Sequence, residues 1–344
     1  MKNRYYSAIG GAALAFSAAA PATAQETVSL TIEHFLPSQA TLPANFITPW
    51  TEAVTEASDG RIQFEIYPAM QLGGSPASLY STMVDGLVDI VWFLPGYTPG
   101  VFPKTEVFEL PFIATNGEQT SEALWHYYEA ELADEYPDVH MIAIFTHGPG
   151  VIHSETPIAS IEDMDGLTLR GPTRVTSWML EALGANAVGM PVPQIAENLS
   201  RGAIDGAVVP WEVTSSIRLS ELVENHTEFS GDYSPYVATM IFAMSNDSYD
   251  ALPDDLKAII DDFSGLETSV WAGNVLDEGD AGGRAIAVER GNNIISLDET
   301  ETTRWVDSAQ TVYQRWIDEM AEQGIDGAVL IDTARALIDD AVGR

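Results

Sequence analysis

The 344-residue sequence contains no cysteine and few basic residues. Without cysteine the chain can form no disulfide, and it offers no thiolate as a nucleophile or a metal ligand. Lysine and arginine together number 15 against 51 aspartates and glutamates, which gives a formal net charge of −36. Such a field repels nucleic acid and anionic membrane surfaces, so neither is expected as a partner.

Long apolar runs are also missing, apart from a leader-like segment at the N-terminus. Lys2 and Arg4 precede the small, apolar run SAIGGAALAFSAAA, and an Ala-Thr-Ala cleavage pattern ends at Ala24. These features predict a secretory signal peptide cleaved after Ala24 and therefore a periplasmic protein. No other stretch reaches the roughly 18 apolar residues that span a bilayer, so direct membrane insertion is not expected.

Motifs of the common catalytic and metal-binding classes are absent as well. There is no Gly-x-Ser-x-Gly elbow, no His-Glu-x-x-His and no Walker loop, and the acidic stretches SNDSYDALPDD and DEGDAGG lack EF-hand spacing. His147 and His153, six residues apart, are only a weak metal hint. We therefore predict no enzyme, no cofactor and no required metal; a periplasmic hydrolase is the rival from another class.

What is present is an alternation of short apolar strands with helices. Alternating or continuously apolar patterns predict strands at 28–32, 62–68, 87–95, 140–148, 167–172 and 203–211. Helical patterns lie between them, and beyond residue 253 the pattern becomes long and helical. This order predicts an α/β fold with mostly parallel sheets.

One pattern occurs twice. MVDGLVDIVWF (83–93) and LSRGAIDGAVVPW (199–211) each pass from a helix end through Gly and Asp into an apolar strand that reaches a tryptophan. Two copies of one βαβ element suggest two similar lobes, although short motifs also recur by chance. Because ligands of open α/β sheets bind beyond the carboxyl ends of the strands, we expect Trp92 and Trp211 beside a cleft between the lobes.

Arg170, in GLTLRGPTRV (166–175), is unusual in so acidic a chain because no acidic residue lies within four positions of it. From the residues alone, its guanidinium could pair equally well with a distant carboxylate of the chain or with a carboxylate from outside.

The run LTLRGPTRVTSWMLEALGANAVGMPVPQIAENLSRGAIDGAVVPW (167–211) resembles the signature region of the extracytoplasmic solute-binding subunits of TRAP transporters, the DctP-like family. IYPAMQLGG, DGLVDIV and FELPFI resemble further motifs of that family, so the resemblance covers nearly the whole chain behind the leader. It implies a two-lobed, type II-like periplasmic-binding-protein fold with a long interlobe helix. It also implies a small organic-acid ligand that is delivered to the small and large membrane permease subunits.

The expected lobes follow from this resemblance. We expect residues 25–147 with about 236–275 to form lobe I, 148–235 with about 276–330 to form lobe II, and 331–344 to form a C-terminal helix.

In the family, the arginine at the end of the strand after the Gly-Leu turn binds the substrate carboxylate, and Arg170 matches it. A planar guanidinium can make two parallel hydrogen bonds to a carboxylate. Two departures from the family pattern remove polar contacts to the ligand. Gly150 lies near the position at which many members carry a second arginine, and Val209 occupies the position at which many carry asparagine. The expected ligand is therefore an apolar or aromatic monocarboxylate, such as a benzoate or hydroxybenzoate, or a short 2-oxo or 2-hydroxy acid. The other predicted ligand contacts are His34, Phe35, Trp92, Phe93, Thr173, Arg174, Val209, Trp211 and Tyr236.

Several of these assignments have alternatives. Arg174 fits a solvated residue at a helix start equally well, and strand alternation allows only one of Trp92 and Phe93 to face the cleft easily. An aromatic box also suits a small amine or a zwitterion. For an amine, Arg170 would be paired internally, and Glu33 or Glu212 would face the cleft.

Overall fold

A computed structural model describes residues 27–344 as two β-sheets with helices around them. The predicted signal peptide and its cleavage after Ala24 lie outside the described residues. None of the helices within 27–344 combines the length and the apolar composition needed to cross a membrane.

The strands in chain order are β1 (Val28–Glu33), β2 (Ile62–Tyr67), β3 (Ile90–Phe93), β4 (Val139–Thr146), β5 (Gly150–Ser154), β6 (Thr168–Gly171), β7 (Asn186–Gly189), β8 (Gly206–Pro210), β9 (Asn225–Glu228), β10 (Thr239–Ser245) and β11 (Asn293–Ser296). The helices are α1 (Thr48–Ala57), α2 (Leu79–Val84), α3 (Gly117–Tyr127), α4 (Arg174–Ala182), α5 (Ile195–Ser200), α6 (Trp211–Thr214), α7 (Asn246–Asp250), α8 (Asp254–Asp262), α9 (Leu266–Arg290), α10 (Glu299–Glu322) and α11 (Gly327–Ala341).

Both sheets are mixed. The first has the order β2-β1-β3-β10-β4 and the second β11-β9-β5-β8-β6-β7. The predicted two-lobed α/β class is confirmed, but β10 runs antiparallel to both of its neighbours, and so does β5. These two strands begin just after the chain crosses from one sheet to the other, at 147–149 and 229–238. Each of them begins at the edge of the sheet where its neighbouring strands end, so it runs in the opposite direction to them. The sheets therefore contain more antiparallel pairs than the sequence pattern predicts.

The repeated sequence pattern has the same structural role in each sheet. Asp89 precedes β3 and accepts hydrogen bonds from the backbone N–H (2.7 Å) and the hydroxyl (2.8 Å) of Thr31 in β1. Asp205 precedes β8 and accepts from the backbone N–H of Thr168 in β6 (2.7 Å). In both sheets the aspartate therefore ties its strand to the neighbouring parallel strand.

The apolar core runs through both sheets and under the C-terminal helices. Its largest fully buried side chains include Trp50 of α1 and Trp305 and Trp316 of α10. Helix α10 packs on α4 of the second sheet, and α11 packs back on α3 of the first. The C-terminal helix thus begins before residue 331, at Gly327; the lobe boundaries stay a prediction.

Helix α9 contacts both halves of the fold through glycines. A Cβ at Gly273 would lie 2.3 Å from the carbonyl oxygen of Gly117 in α3, and a Cβ at Gly283 would lie 1.9 Å from that of Trp211 in α6. Both distances are far below van der Waals contact, so only glycine allows α9 to approach the two helices this closely.

Two aspartates of α9 strengthen these contacts. Asp277 accepts hydrogen bonds from the backbone N–H groups of Gly117 (2.8 Å) and Glu118 (2.9 Å) at the start of α3. One turn later, Asp280 accepts from the backbone N–H of Glu212 in α6 (2.8 Å). Carboxylates at helix N-termini are favourable because they satisfy free N–H groups. The same face of α9 therefore holds one helix from each half of the molecule.

We expect Gly283→Ala to destabilise the protein by about 1–3 kcal/mol or more, because the added methyl must push α9 away from α6. Gly282→Ala is the matched control, since a Cβ at Gly282 meets no atom within 4 Å. That control should be neutral or stabilising by roughly 0.5–1 kcal/mol. Urea unfolding monitored by circular dichroism measures both variants; equal stabilities would contradict the proposed packing constraint.

Candidate functional site

A narrow cavity of about 30 Å³ lies between the two sheets. Its walls come from the carboxyl ends of strands in both sheets and from the two segments that cross between the sheets. The residues that define it are Phe35, Trp92, His147, Arg170, Val209 and Tyr236. This free space is below the usual range for small-molecule sites, so a ligand would require the two sheets to move apart.

Arg170 is the cation of this cavity. It lies in β6 and is only 1% exposed. Its Nε donates to the carbonyl of Met190 (2.8 Å) and its Nη1 to that of Val208 (2.9 Å). Nη2 is buried without a hydrogen-bond partner, and no acidic side chain within residues 27–344 forms an ion pair with Arg170. The guanidinium is thus held in place by backbone oxygens and is free to bind a planar anion.

Two phenols lie near the guanidinium. The hydroxyl of Tyr97 accepts from the backbone N–H of Val192 (3.1 Å), and Tyr236 lines the same cavity. Burial raises the pKa of both tyrosines, and the charge of Arg170 offsets this only in part. Both side chains therefore stay protonated and can donate hydrogen bonds to an anion.

His147 forms a neutral part of the wall. Its Nε2 accepts from the backbone N–H of Ala238 (3.0 Å), and its Nδ1 donates to the carbonyl of Gly148 (2.6 Å). Burial lowers the pKa of His147 to about 4, so the imidazole is uncharged at neutral pH. It adds no second positive charge to the site.

The wall opposite the second sheet is aromatic. The rings of Phe35 and Trp92 lie 4.4 Å apart between centroids, and Tyr97 meets Phe35 edge-on at 5.8 Å. Trp92 lines the cavity, whereas the next residue, Phe93, faces the other side of the sheet and packs on Tyr80 (5.5 Å). Strand alternation explains why only one of the two reaches the cavity.

Val209 lines the cavity, and a histidine pair supports the strand behind it. His153 Nε2 donates to the Val209 carbonyl (3.2 Å), and the Nδ1 atoms of His153 and His226 are 2.7 Å apart. Burial lowers the pKa of both histidines. Trp211 packs on both imidazoles, at 4.9 Å from each, and donates to Glu228 (2.9 Å). The structure thus places Trp211 behind the cavity and outside its wall.

Arg174 and Thr173 have partners within the protein. Arg174 makes two hydrogen bonds to Glu106 (2.6 and 2.7 Å) and pairs with Glu319. Thr173 accepts from the backbone N–H of Thr176 as the N-cap of α4. Neither residue is among those that line the cavity. Their partners fix the start of α4.

His34 lies behind the aromatic wall, with its ring centroid 6.1 Å from that of Trp92. It is fully buried, and burial lowers its pKa to about 4. Neither of its ring nitrogens makes a well-formed hydrogen bond to another described residue.

Several lining residues were not among the predicted ligand contacts, and His147, Tyr97 and Glu212 are the polar ones among them. Tyr97 belongs to FLPGYTPG after β3, where the Pro-Gly pair indicates a turn but does not show which way the ring points. Glu212 was considered only for an amine ligand, yet it lines the cavity beside Arg170. Burial and the charge of Asp280 raise the pKa of Glu212 to about 8.

No group of three or more histidine or acidic side chains within residues 27–344 is placed to hold a metal ion. The site is thus a small aromatic cavity with one buried guanidinium, two phenols and one neutral carboxyl group. Such a site can hold an anion with an apolar body.

Comparison with known proteins agrees with this geometry. The model of the DctP family, bacterial extracellular solute-binding protein family 7, matches residues 32–319. A TRAP solute-binding protein from Rhodoferax ferrireducens in complex with copurified benzoate is 47% identical, with a TM-score of 0.91 over 92% of this chain and 99% of that one. A marine metagenome TRAP solute-binding protein specific for aromatic acid ligands, with bound 3-hydroxybenzoate, is 42% identical, with a TM-score of 0.91 over the same shares.

A more distant structure extends the series. A TRAP periplasmic solute-binding protein from Bordetella bronchiseptica with bound (R)- and (S)-mandelate is 29% identical, with a TM-score of 0.83 over 91% of this chain and 99% of that one.

We expect Arg174→Met to destabilise the fold, because it leaves Glu106 buried without its cation. The loss should be roughly 2–4 kcal/mol, somewhat below that of a fully buried pair because Arg174 is partly exposed. Adding Glu106→Gln to this variant should recover part of the loss, since the uncompensated charge is then gone. Urea unfolding of the two single variants and the double variant measures this coupling. If the losses in the free energy of unfolding are strictly additive, the ion pair between Arg174 and Glu106 does not stabilise the fold.

Proposed function

Because the chain belongs to family 7 of the bacterial extracellular solute-binding proteins, the solute-binding subunits of TRAP transporters, we propose that its cavity binds an aromatic monocarboxylate. The observation that carries the proposal is the buried guanidinium of Arg170, whose Nη2 lacks an acceptor inside an aromatic cavity.

The carboxylate belongs at Arg170. A buried charge with an unfilled donor is costly to the fold. A ligand carboxylate would supply the missing acceptor and the opposite charge, and the phenols of Tyr97 and Tyr236 are available as further donors. With no acid of the chain competing for the guanidinium, the gain from this ion pair goes to the ligand.

The ligand ring belongs against Phe35 and Trp92. These side chains offer an apolar surface on which an aromatic ring gains about 0.5–1.5 kcal/mol per ring contact beyond area burial. The relatives described above, which bind benzoate, 3-hydroxybenzoate and mandelate, support an aromatic acid over a short aliphatic one.

A small amine fits the cavity less well. Arg170 places a permanent positive charge there, and Glu212 offers a compensating negative charge only above a pH of about 8. At neutral pH the cavity therefore carries a net positive charge, which favours an anion.

In this role the protein acts by binding alone. It would capture the acid in the periplasm after removal of a signal peptide, and deliver it to the small and large TRAP permease subunits without chemical change. Closure of the two halves around the ligand is the expected motion, with α9 connecting them.

We expect Arg170→Met to weaken benzoate binding at least about 30-fold, which corresponds to about 2 kcal/mol or more, because the buried charge partner is removed. Isothermal titration calorimetry of the wild type and the variant at pH 7 provides the measurement. Circular dichroism should first show that the variant is folded.

Arg201→Met is the control, because Arg201 is an exposed surface residue that pairs with Glu197 four positions earlier in the chain. It should bind benzoate like the wild type. If the wild type binds small amines and no aromatic acid, or if Arg170→Met binds benzoate unchanged, the proposed carboxylate site is wrong.

A further inference from the structure

A carboxyl group shares the cavity with Arg170. Glu212, at the start of α6, is 5% exposed, and no other acidic residue of the described chain lines this cavity. Helix α9 abuts its side chain, since a Cβ at Gly279 would lie 2.9 Å from Glu212 Cβ. Thr41 packs against the same glycine, 2.6 Å from that Cβ, and its hydroxyl donates to the backbone carbonyl of Glu212 (3.2 Å). Glu212 is thus packed tightly against α9 while it lines the cavity.

The surroundings of Glu212 disfavour its charged form. Burial is the main reason that its pKa rises to about 8, and Asp280 adds repulsion from α9, with its own pKa raised by burial to about 7. The titratable groups that line the cavity from the other elements are Arg170 of β6, Tyr97 after β3, and His147 and Tyr236 of the crossing segments. Of these only Arg170 is charged at neutral pH, and it is the residue assigned to the ligand carboxylate.

A neutral carboxyl group can do what an ionised one cannot. It has one O–H donor and one C=O acceptor, so it can exchange hydrogen bonds with a hydroxyl group. An ionised Glu212 would instead place a second negative charge beside the ligand carboxylate in a cavity of low dielectric.

We propose that Glu212, as a neutral carboxyl group, binds a hydroxyl substituent on the ring of the aromatic acid and gives the site its preference for hydroxylated over unsubstituted ligands. This inference rests on the proposed function, because it requires that the ligand carboxylate sits at Arg170.

The first consequence is a ligand preference that depends on Glu212. We expect the wild type to bind 3-hydroxybenzoate about tenfold more tightly than benzoate at pH 6.5, the gain of one additional buried hydrogen bond. Glu212→Leu should bring the two dissociation constants to within about twofold of each other. Titration calorimetry with both acids measures the ratio, which a general loss of stability would not change.

The second consequence is a pH dependence. If the ligand requires protonated Glu212, benzoate affinity should fall about tenfold between pH 6 and pH 9, as the free carboxyl ionises near pH 8. In Glu212→Gln, which cannot ionise, the affinities at the two pH values should agree within about twofold. The wild type should also take up about half a proton on binding benzoate at pH 8, measurable in two buffers of different ionisation enthalpy.

The control is Glu197→Gln, an acid of α5 that lies on the surface, away from the cavity. It should keep both the ligand preference and the pH profile of the wild type. Proton uptake by the wild type keeps the test decisive even if the variants at 212 do not fold.

The outcomes separate the two claims. If the wild type binds neither acid, the proposed function fails, and this inference fails with it. If the wild type binds benzoate, but Glu212→Leu keeps the ligand preference or the wild type takes up no proton, the proposed function stands and the role of Glu212 is wrong.

Discussion

The site depends on one buried charge, the guanidinium of Arg170, which has no acidic partner in the described chain. Backbone carbonyls of Met190 and Val208 hold it, so its position follows from the ends of neighbouring parallel strands. A protein interior tolerates such a group only if the remaining donors find an acceptor or if stability elsewhere compensates. The aromatic wall, the phenols and the neutral imidazole around it are consistent with a site completed by a ligand carboxylate.

That charge lies at the junction of two halves, so the fold must hold the halves in register. Helix α9 provides this connection, because Gly273 and Gly283 let it approach α3 and α6 closely, and Asp277 and Asp280 bind the N-termini of the same helices. The contact to α6 is also the contact that positions Glu212. A change in how α9 packs would therefore reach the cavity through Glu212, which lines it.

Much of this arrangement could be predicted from the sequence, where the signal was local. The repeated Gly-x-x-Asp pattern correctly indicated two related strands, because Asp89 and Asp205 bind the adjacent strand in the same way. Strand β10 was missed, since its continuous apolar run lacks the alternation that distinguishes a strand from a buried helical segment. The partners of Arg174 lie 68 and 145 residues away along the chain, and such pairing leaves no local trace in a sequence without an alignment.

An acidic protein can bind an anion because its net charge does not act uniformly. The surface and the cavity are separate electrostatic environments. The surface field is screened within about 8 Å at physiological ionic strength and within about 3 Å at 1 M salt. Inside the cavity, burial keeps Glu212 and His147 uncharged, so Arg170 acts almost alone in a low-dielectric space where Coulomb interactions are several times stronger than in water. Local desolvation can thus select an anion even though the molecule as a whole carries a large negative charge.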